Sequence, residues 1–158
     1  MKRETKRRNN KGFSLVELII VIAIMAILAG ILAPQFIKYI KQSRISTDIQ
    51  NAQQIATALS AEFADTERTT AVGTAASPIE VATDGATKWD GTDTATERSQ
   101  KDVFGGVPKV KAASAYKFAY EVSDAGVVTV YVKDGDKKYT LYPEVDASTD
   151  TTNVWKQK

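Results

Sequence analysis

The chain has 158 residues, enough for one domain or for one domain with an appendage. It contains no Cys and no His, which excludes thiol and imidazole nucleophiles, His general bases, His/Cys metal centres and disulfide staples. The formal net charge of +2 misleads: residues 1–12 carry six basic side chains and one acid, and without them 15 basic residues face 18 acidic ones, a balance of −3. The basic excess is a local tag and not a nucleic-acid surface, so no specific nucleic-acid partner is expected.

Lys2, Arg3, Lys6, Arg7, Arg8 and Lys11 make residues 1–12 a basic leader that ends at Gly12. Phe13–Ala33 follow as a run of 21 residues in which Glu17 is the single charge. At about 1.5 Å per residue a helix of that length spans roughly 31 Å, close to the hydrocarbon thickness of a bilayer. A buried core helix seldom stays apolar all round for so long. Signal-peptide cleavage needs small residues two apart, and Ala23, Ala26, Ala29, Gly30 and Ala33 offer no such pair, with Pro34 following at once. Residues 13–34 therefore read as a retained membrane segment. Six basic residues before it, against Lys38, Lys41 and Arg44 after it, place the N-terminus in the cytoplasm.

Glu17 is the informative residue. An acid within a membrane helix costs about 2.5–3.5 kcal/mol, and the helix dipole near the N-terminus returns about 0.3–1 kcal/mol. A carboxylate at headgroup level would cost little, and a functional one needs a cation at its own depth. No Lys or Arg occurs between Lys11 and Lys38, so such a cation must come from another chain or from a newly made N-terminus. Cutting after Gly12 would create one, the α-amino group of Phe13. Further along, Ala26/Gly30 and Ala29/Ala33 are small-xxx-small pairs that let helices approach closely. Pro34 lacks an N–H and clashes with the turn that begins at Gly30, which weakens the helix there.

The order Lys11-Gly12-Phe13-Ser14-Leu15-Val16-Glu17-Leu18, the basic leader and a proline 22 positions into the mature chain resemble the class III signal of type IV pilins and pseudopilins. The resemblance covers roughly residues 1–40. It implies that a prepilin peptidase cuts between Gly12 and Phe13, that the Phe13 amine is methylated and stays positive, and that Glu17 pairs with the Phe13 amine of a neighbouring subunit during assembly. It implies a helix break around Gly30 and Pro34 in the filament. The implied partners are copies of the same chain in a helical homopolymer, the peptidase, an inner-membrane assembly platform with its ATPase, minor pilins, and the membrane before assembly. The implied location is a single-pass membrane protein that becomes an extracellular pilus. No cofactor is implied.

Residues 35–65 continue the helix with a different character. Ile45, Ile49, Ala52, Ala56, Leu59 and Phe63 recur at steps of three and four and draw one apolar stripe, with Asp48, Gln50, Gln53 and Ser60 off it. Residues 66–115 are rich in Thr, Ala, Gly and Asp and read as a long connection, with Pro78-Ile79-Glu80-Val81 a short edge strand and Trp89, Val103 and Phe104 as anchors. Its acids Asp84, Asp90, Asp93, Glu97 and Asp102 match no Ca²⁺ loop spacing.

Residues 116–145 switch to period two. A loop at Asp124-Ala125-Gly126 sets Val122 opposite Val128, Tyr120 opposite Val130 and Phe118 opposite Val132. A two-residue loop at Asp134-Gly135 sets Val132 opposite Lys137, Val130 opposite Tyr139 and Val128 opposite Leu141. The tail, 146–158, is polar apart from Val154 and Trp155 and receives no assigned structure. The expected class is α+β: a long N-terminal helix packed on a three-stranded antiparallel meander.

Three function classes remain in view. The first is a filament subunit, a type IV pilin or alternatively a pseudopilin of a type II secretion or competence system. The second is an enzyme, and the third a binding module, each on an uncleaved anchor. The absent disulfide departs from many pilins and suits a Gram-positive source, and the lack of a calcium motif counts against a major secretion pseudopilin.

Overall fold

Ser14 precedes a long stretch with a single proline and many strong helix formers, and one helix, α1 (Leu15–Asp65), runs through it. The structure, a computed structural model, describes residues 12–92, 98–148 and 150–156. The basic leader up to Lys11, and Asp93 and Glu97 of the middle connection, lie outside these residues. The chain divides into one unit up to Ile40 and another from Lys41 onward, each described by itself. In the first, α1 is unbroken across Gly30 and Pro34. Every side chain from Phe13 to Ile40 is exposed on the single chain, including Phe13, Leu28 and Phe36. Among the described residues α1 is the one helix long and apolar enough to cross a membrane.

In the second unit α1 turns one face inward through Asp48, Ala52, Ile55, Ala56, Leu59, Glu62 and Phe63. The steps of three and four are as expected, but the stripe is rotated. Ile45 and Ile49 are half-buried, whereas Asp48, expected off the stripe, is fully buried. A charge could take that place because N–H groups from elsewhere in the chain converge on it.

The sheet has four antiparallel strands and not three: β1 (Ile79–Glu80), β2 (Lys117–Val122), β3 (Val128–Asp134) and β4 (Lys137–Tyr142), in the order β1-β2-β3-β4. The added edge strand β1 arises from the Pro78–Val81 stretch, and pairs Ile79 with Tyr120 and Glu80 with Ala119. Between β2 and β3 the pairs Val122/Val128, Tyr120/Val130 and Phe118/Val132 form as expected. Gly126, at φ 76, closes that loop, and an added Cβ would stand 3.2 Å from the Phe63 ring. Glycine is therefore required twice over, by conformation and by the helix beneath.

The β3–β4 register is a correction. Asp134 pairs with Lys137 and Val132 with Tyr139, because the loop residues are Gly135-Asp136 and not Asp134-Gly135. A bulge then sets Val130 opposite Tyr142 in place of Tyr139. The shift moves Val132 from Lys137 to Tyr139, two places, and a slip of two keeps each side chain on its face. Tyr139 and Leu141 accordingly still point into the core with Phe118, Tyr120, Val122, Val128, Val130 and Val132.

The connection from 66 to 115 is held by specific anchors. Trp89 is completely buried, Val103 and Phe104 pack against the core, and Arg68 lies over the Trp89 ring while both its terminal nitrogens donate to Asp90 Oδ2, at 3.0 and 2.8 Å. A short helix, α2 (Gln100–Phe104), begins at Ser99 and stops at Gly105 with φ 67. Its buried Gln100 accepts from Ala82 N–H at 2.8 Å, and donates to the Glu80 carbonyl at 3.0 Å and to the Tyr120 hydroxyl at 3.2 Å. Tyr120 in turn donates to the Trp89 carbonyl, and burial pushes its hydroxyl well above the ordinary pKa.

The tail is structured as well. Trp155 is fully buried and stacks edge-on against Tyr116. Asp150 accepts from the Tyr139 hydroxyl and, at 2.8 Å each, from the Thr152 N–H and hydroxyl, which holds its carboxyl down at about 2. A depressed carboxyl stabilises the fold above its ordinary value, near 3.8, and that contribution disappears as pH falls toward about 2. Loosening of the tail is thus expected between about pH 4 and pH 2, read as a shift of Trp155 emission. Asp150→Asn should abolish that titration; an identical pH profile for the variant would show that the tail is held otherwise.

Candidate functional site

The N-terminal segment gathers most of the residues singled out by sequence. Gly12, Phe13 and Ser14 lead into α1 as exposed, non-helical chain, with Phe13 87% exposed. Leu18 N–H donates to the Ser14 carbonyl at 3.2 Å, which makes Ser14 the N-cap and Glu17 the third helical residue. The Glu17 carboxylate reaches back and accepts from the Ser14 backbone N–H at 2.8 Å. This is half of a capping box, with the carboxylate also lying at the positive end of the helix dipole. Glu17 therefore has a partner within its own chain, an uncharged donor that the search for a cation overlooked. The spacing Ser14-x-x-Glu17 was the available signal.

An added Cβ at Gly12 or at Gly30 meets no atom within 4 Å. Neither glycine is required by packing inside the described chain, so any need for a small residue there must come from another molecule. Pro34 sits within a continuous helix, where the Gly30 carbonyl has no i+4 N–H to accept.

Residues 7–33 match the family model described as the prokaryotic N-terminal methylation motif. The chain is 42% identical over 59 residues to the type IV major pilin protein PilA of Myxococcus xanthus, a stretch covering 37% of this chain and 27% of that protein. It is 47% identical over 49 residues to the type IV major fimbrial protein FimA of Dichelobacter nodosus, covering 31% of each. By this N-terminal signal the chain is similar to proteins of the type IV pilin family. The matched stretch spans less than a third of either relative's length. No solved structure matches the chain. The Gram-positive source suggested by the missing disulfide finds no support in these relatives.

Away from this segment, the chain uses its acids for internal bonds. Asp84 accepts from Ala86 N–H at 3.1 Å, Asp90 holds Arg68, and Asp102 is hydrogen-bonded to Ser99, which lowers its pKa. Among the described residues no three potential ligands gather into a metal site.

The most demanding polar group is Asp48. Its Oδ1 accepts from Lys111 N–H at 2.7 Å, and its Oδ2 from Ala112 N–H and the Trp155 indole N–H, both at 2.9 Å. One buried carboxylate thus clasps three separate parts of the chain: α1, the end of the middle connection and the tail. Sequence reasoning missed it because its donors lie 63, 64 and 107 residues away.

Proposed function

We propose that the chain is the structural subunit of a type IV pilus, cut between Gly12 and Phe13, held in the membrane by residues 13–34 and polymerised through α1. The carrying observation is the combination at one helix end: an exposed segment apolar on every face, with one carboxylate at its third position. A fully apolar surface on a single chain has two fitting solvents, lipid and other copies of the same helix, and a filament subunit uses both in succession. Both relatives carry the word major in their names, as pilin and as fimbrial protein, which favours a pilus subunit over a pseudopilin.

In this reading Glu17 gains a second partner. Before assembly its carboxylate caps its own helix. After assembly it also meets the methylated amine of Phe13 on an adjoining subunit, a charged donor in a low-dielectric core. The remaining parts follow from the same reading: a prepilin peptidase, an assembly platform with its ATPase, minor pilins, and local melting near Gly30 and Pro34 when the filament is stretched.

Mass spectrometry of the protein from its native membrane tests this directly. A chain that begins at methylated Phe13 is expected, and an intact Met1 start in the working form overturns the proposal. Gly12→Leu is expected to accumulate as the full-length precursor while still entering the membrane. Since nothing crowds an added side chain there, the block would belong to the peptidase and not to the fold. Normal cutting of that variant would place the processing site elsewhere.

A further inference from the structure

We infer that the cleft bounded by Lys41, Arg44, Ile45, Ala112 and Val154 holds the headgroup of an anionic phospholipid from the membrane in which the chain is anchored. The inference rests on the proposed anchoring of residues 13–34.

The cleft measures about 450 Å³, within the range of small-ligand sites. Two of its walls are cations one helical turn apart on α1, whose Cβ atoms stand about 5–6 Å from each other. Both are exposed, and among the described residues neither makes an ion pair. Asp48, one turn further along α1, is buried with both oxygens occupied by N–H donors, and it makes no ion pair with either cation.

The other three walls are apolar. Val154 is 42% exposed although Asn153 and Trp155 on either side are buried. It is kept outward by its neighbours: Asn153 Nδ2 donates to the Asp146 carbonyl at 2.9 Å, and Trp155 is tied to Asp48. Two unpaired cations beside a fixed apolar wall suit a ligand that is anionic at one end and hydrocarbon at the other. An acidic peptide would meet the cations and leave Ile45, Ala112 and Val154 uncovered.

Distance along the chain points to the same ligand. Lys41 follows Ala33, the end of the apolar run, by eight residues of continuous helix, a rise of about 12 Å. The polar zone of a leaflet is about 5–8 Å deep, and Lys and Arg side chains snorkel back toward it. Chain length alone thereby keeps Lys41 within reach of phosphates at very high local concentration, and binding there would last until the subunit is extracted.

The test uses the full chain in detergent micelles doped with equal amounts of phosphatidylglycerol and phosphatidylcholine, with retained lipid counted by native mass spectrometry. The wild type is expected to retain phosphatidylglycerol preferentially. Lys41→Gln with Arg44→Gln should weaken that retention about thirtyfold, the effect of two cations near an anionic surface. Val154→Asp should abolish it, and Lys133→Gln, which alters a pair with Glu80 on the sheet, should leave it unchanged. Unchanged Trp155 emission checks that the variants are folded. Equal retention of the two lipids, or a preference that survives the double substitution, overturns the inference. So does a double variant that alters self-association and not lipid retention, since the occupant would then be a second copy. Resistance of the wild type to alkaline extraction from phosphatidylglycerol vesicles is read separately, and its failure sinks the anchoring and not merely the cleft.

Discussion

Asp48→Ala should destabilise the head, the unit from Lys41 onward, by about 3–5 kcal/mol, among the largest effects of any single substitution in the chain. The alanine removes the acceptor for two backbone N–H groups and one buried indole N–H, and each unmet donor costs about 1–3 kcal/mol. For a chain of this size the melting temperature should fall by about 10 °C, followed by tryptophan emission of the full chain in detergent. Asp48→Asn should not rescue it. An amide brings one acceptor oxygen and an NH₂ group into a site where three donors converge. Trp155→Phe should be milder, because the ring packing survives and two of the three bonds to the carboxylate remain. A loss below about 1 kcal/mol for Asp48→Ala would mean that water replaces the carboxylate and that the clasp contributes little.

Substitutions at Glu17 should abolish filaments while leaving membrane insertion intact, and the choice of replacement identifies the cause. The carboxylate has two possible duties: capping its own helix through Ser14 N–H, and pairing with a cation on another subunit. Glu17→Ala removes both and spares the chain up to about 2.5–3.5 kcal/mol of insertion cost. Glu17→Gln keeps an acceptor for the Ser14 N–H but carries no charge. If the pairing drives assembly, both variants insert normally and neither yields fibres by electron microscopy. If the cap is what matters, Gln restores fibres and Ala does not, and the inter-subunit pairing must be given up. Wild-type fibre yield from both would remove Glu17 from assembly altogether.

Local chemistry made the larger part of the fold legible. Gly126 fixed the β2–β3 register because a three-residue loop ending at a left-handed glycine, Asp124 to Gly126 between Ser123 and Val127, sets Val122 opposite Val128. Asp134, Gly135 and Asp136 allowed two framings of one turn, and the alternation of β4 could not choose between them because they differ by an even number of residues. Helix α2 was missed although Ser99, Asp102 and Gly105 carry its start and stop. Five residues fall below the length at which periodicity gives a signal.

The candidate site divides in the same way. Gly12, Phe13 and Glu17 were singled out by their order within one short segment, and their roles in cutting and assembly are proposals; the intrachain bond of Glu17 was obscured by attention to its charge. Asp48, Gln100 and Trp155 had no local signature. In sequence Asp48 falls off the apolar stripe, Trp155 lies in a tail given no structure and Gln100 in the long connection, and each is buried through partners brought close only by the finished fold.

The sheet's two margins matter most when many heads stand side by side. A polymer sets identical strands within nanometres of one another, a condition that invites edge-to-edge zippering into insoluble aggregates. Here β1 offers only two residues for such pairing, and β4 opens with Lys137 and Lys138, whose like charges oppose alignment with their own copies. The chain beyond β4 folds back as well, so that Asp146 N–H occupies the Thr140 carbonyl at 2.8 Å. In the proposed filament, many such sheets could stand close together without their edges pairing.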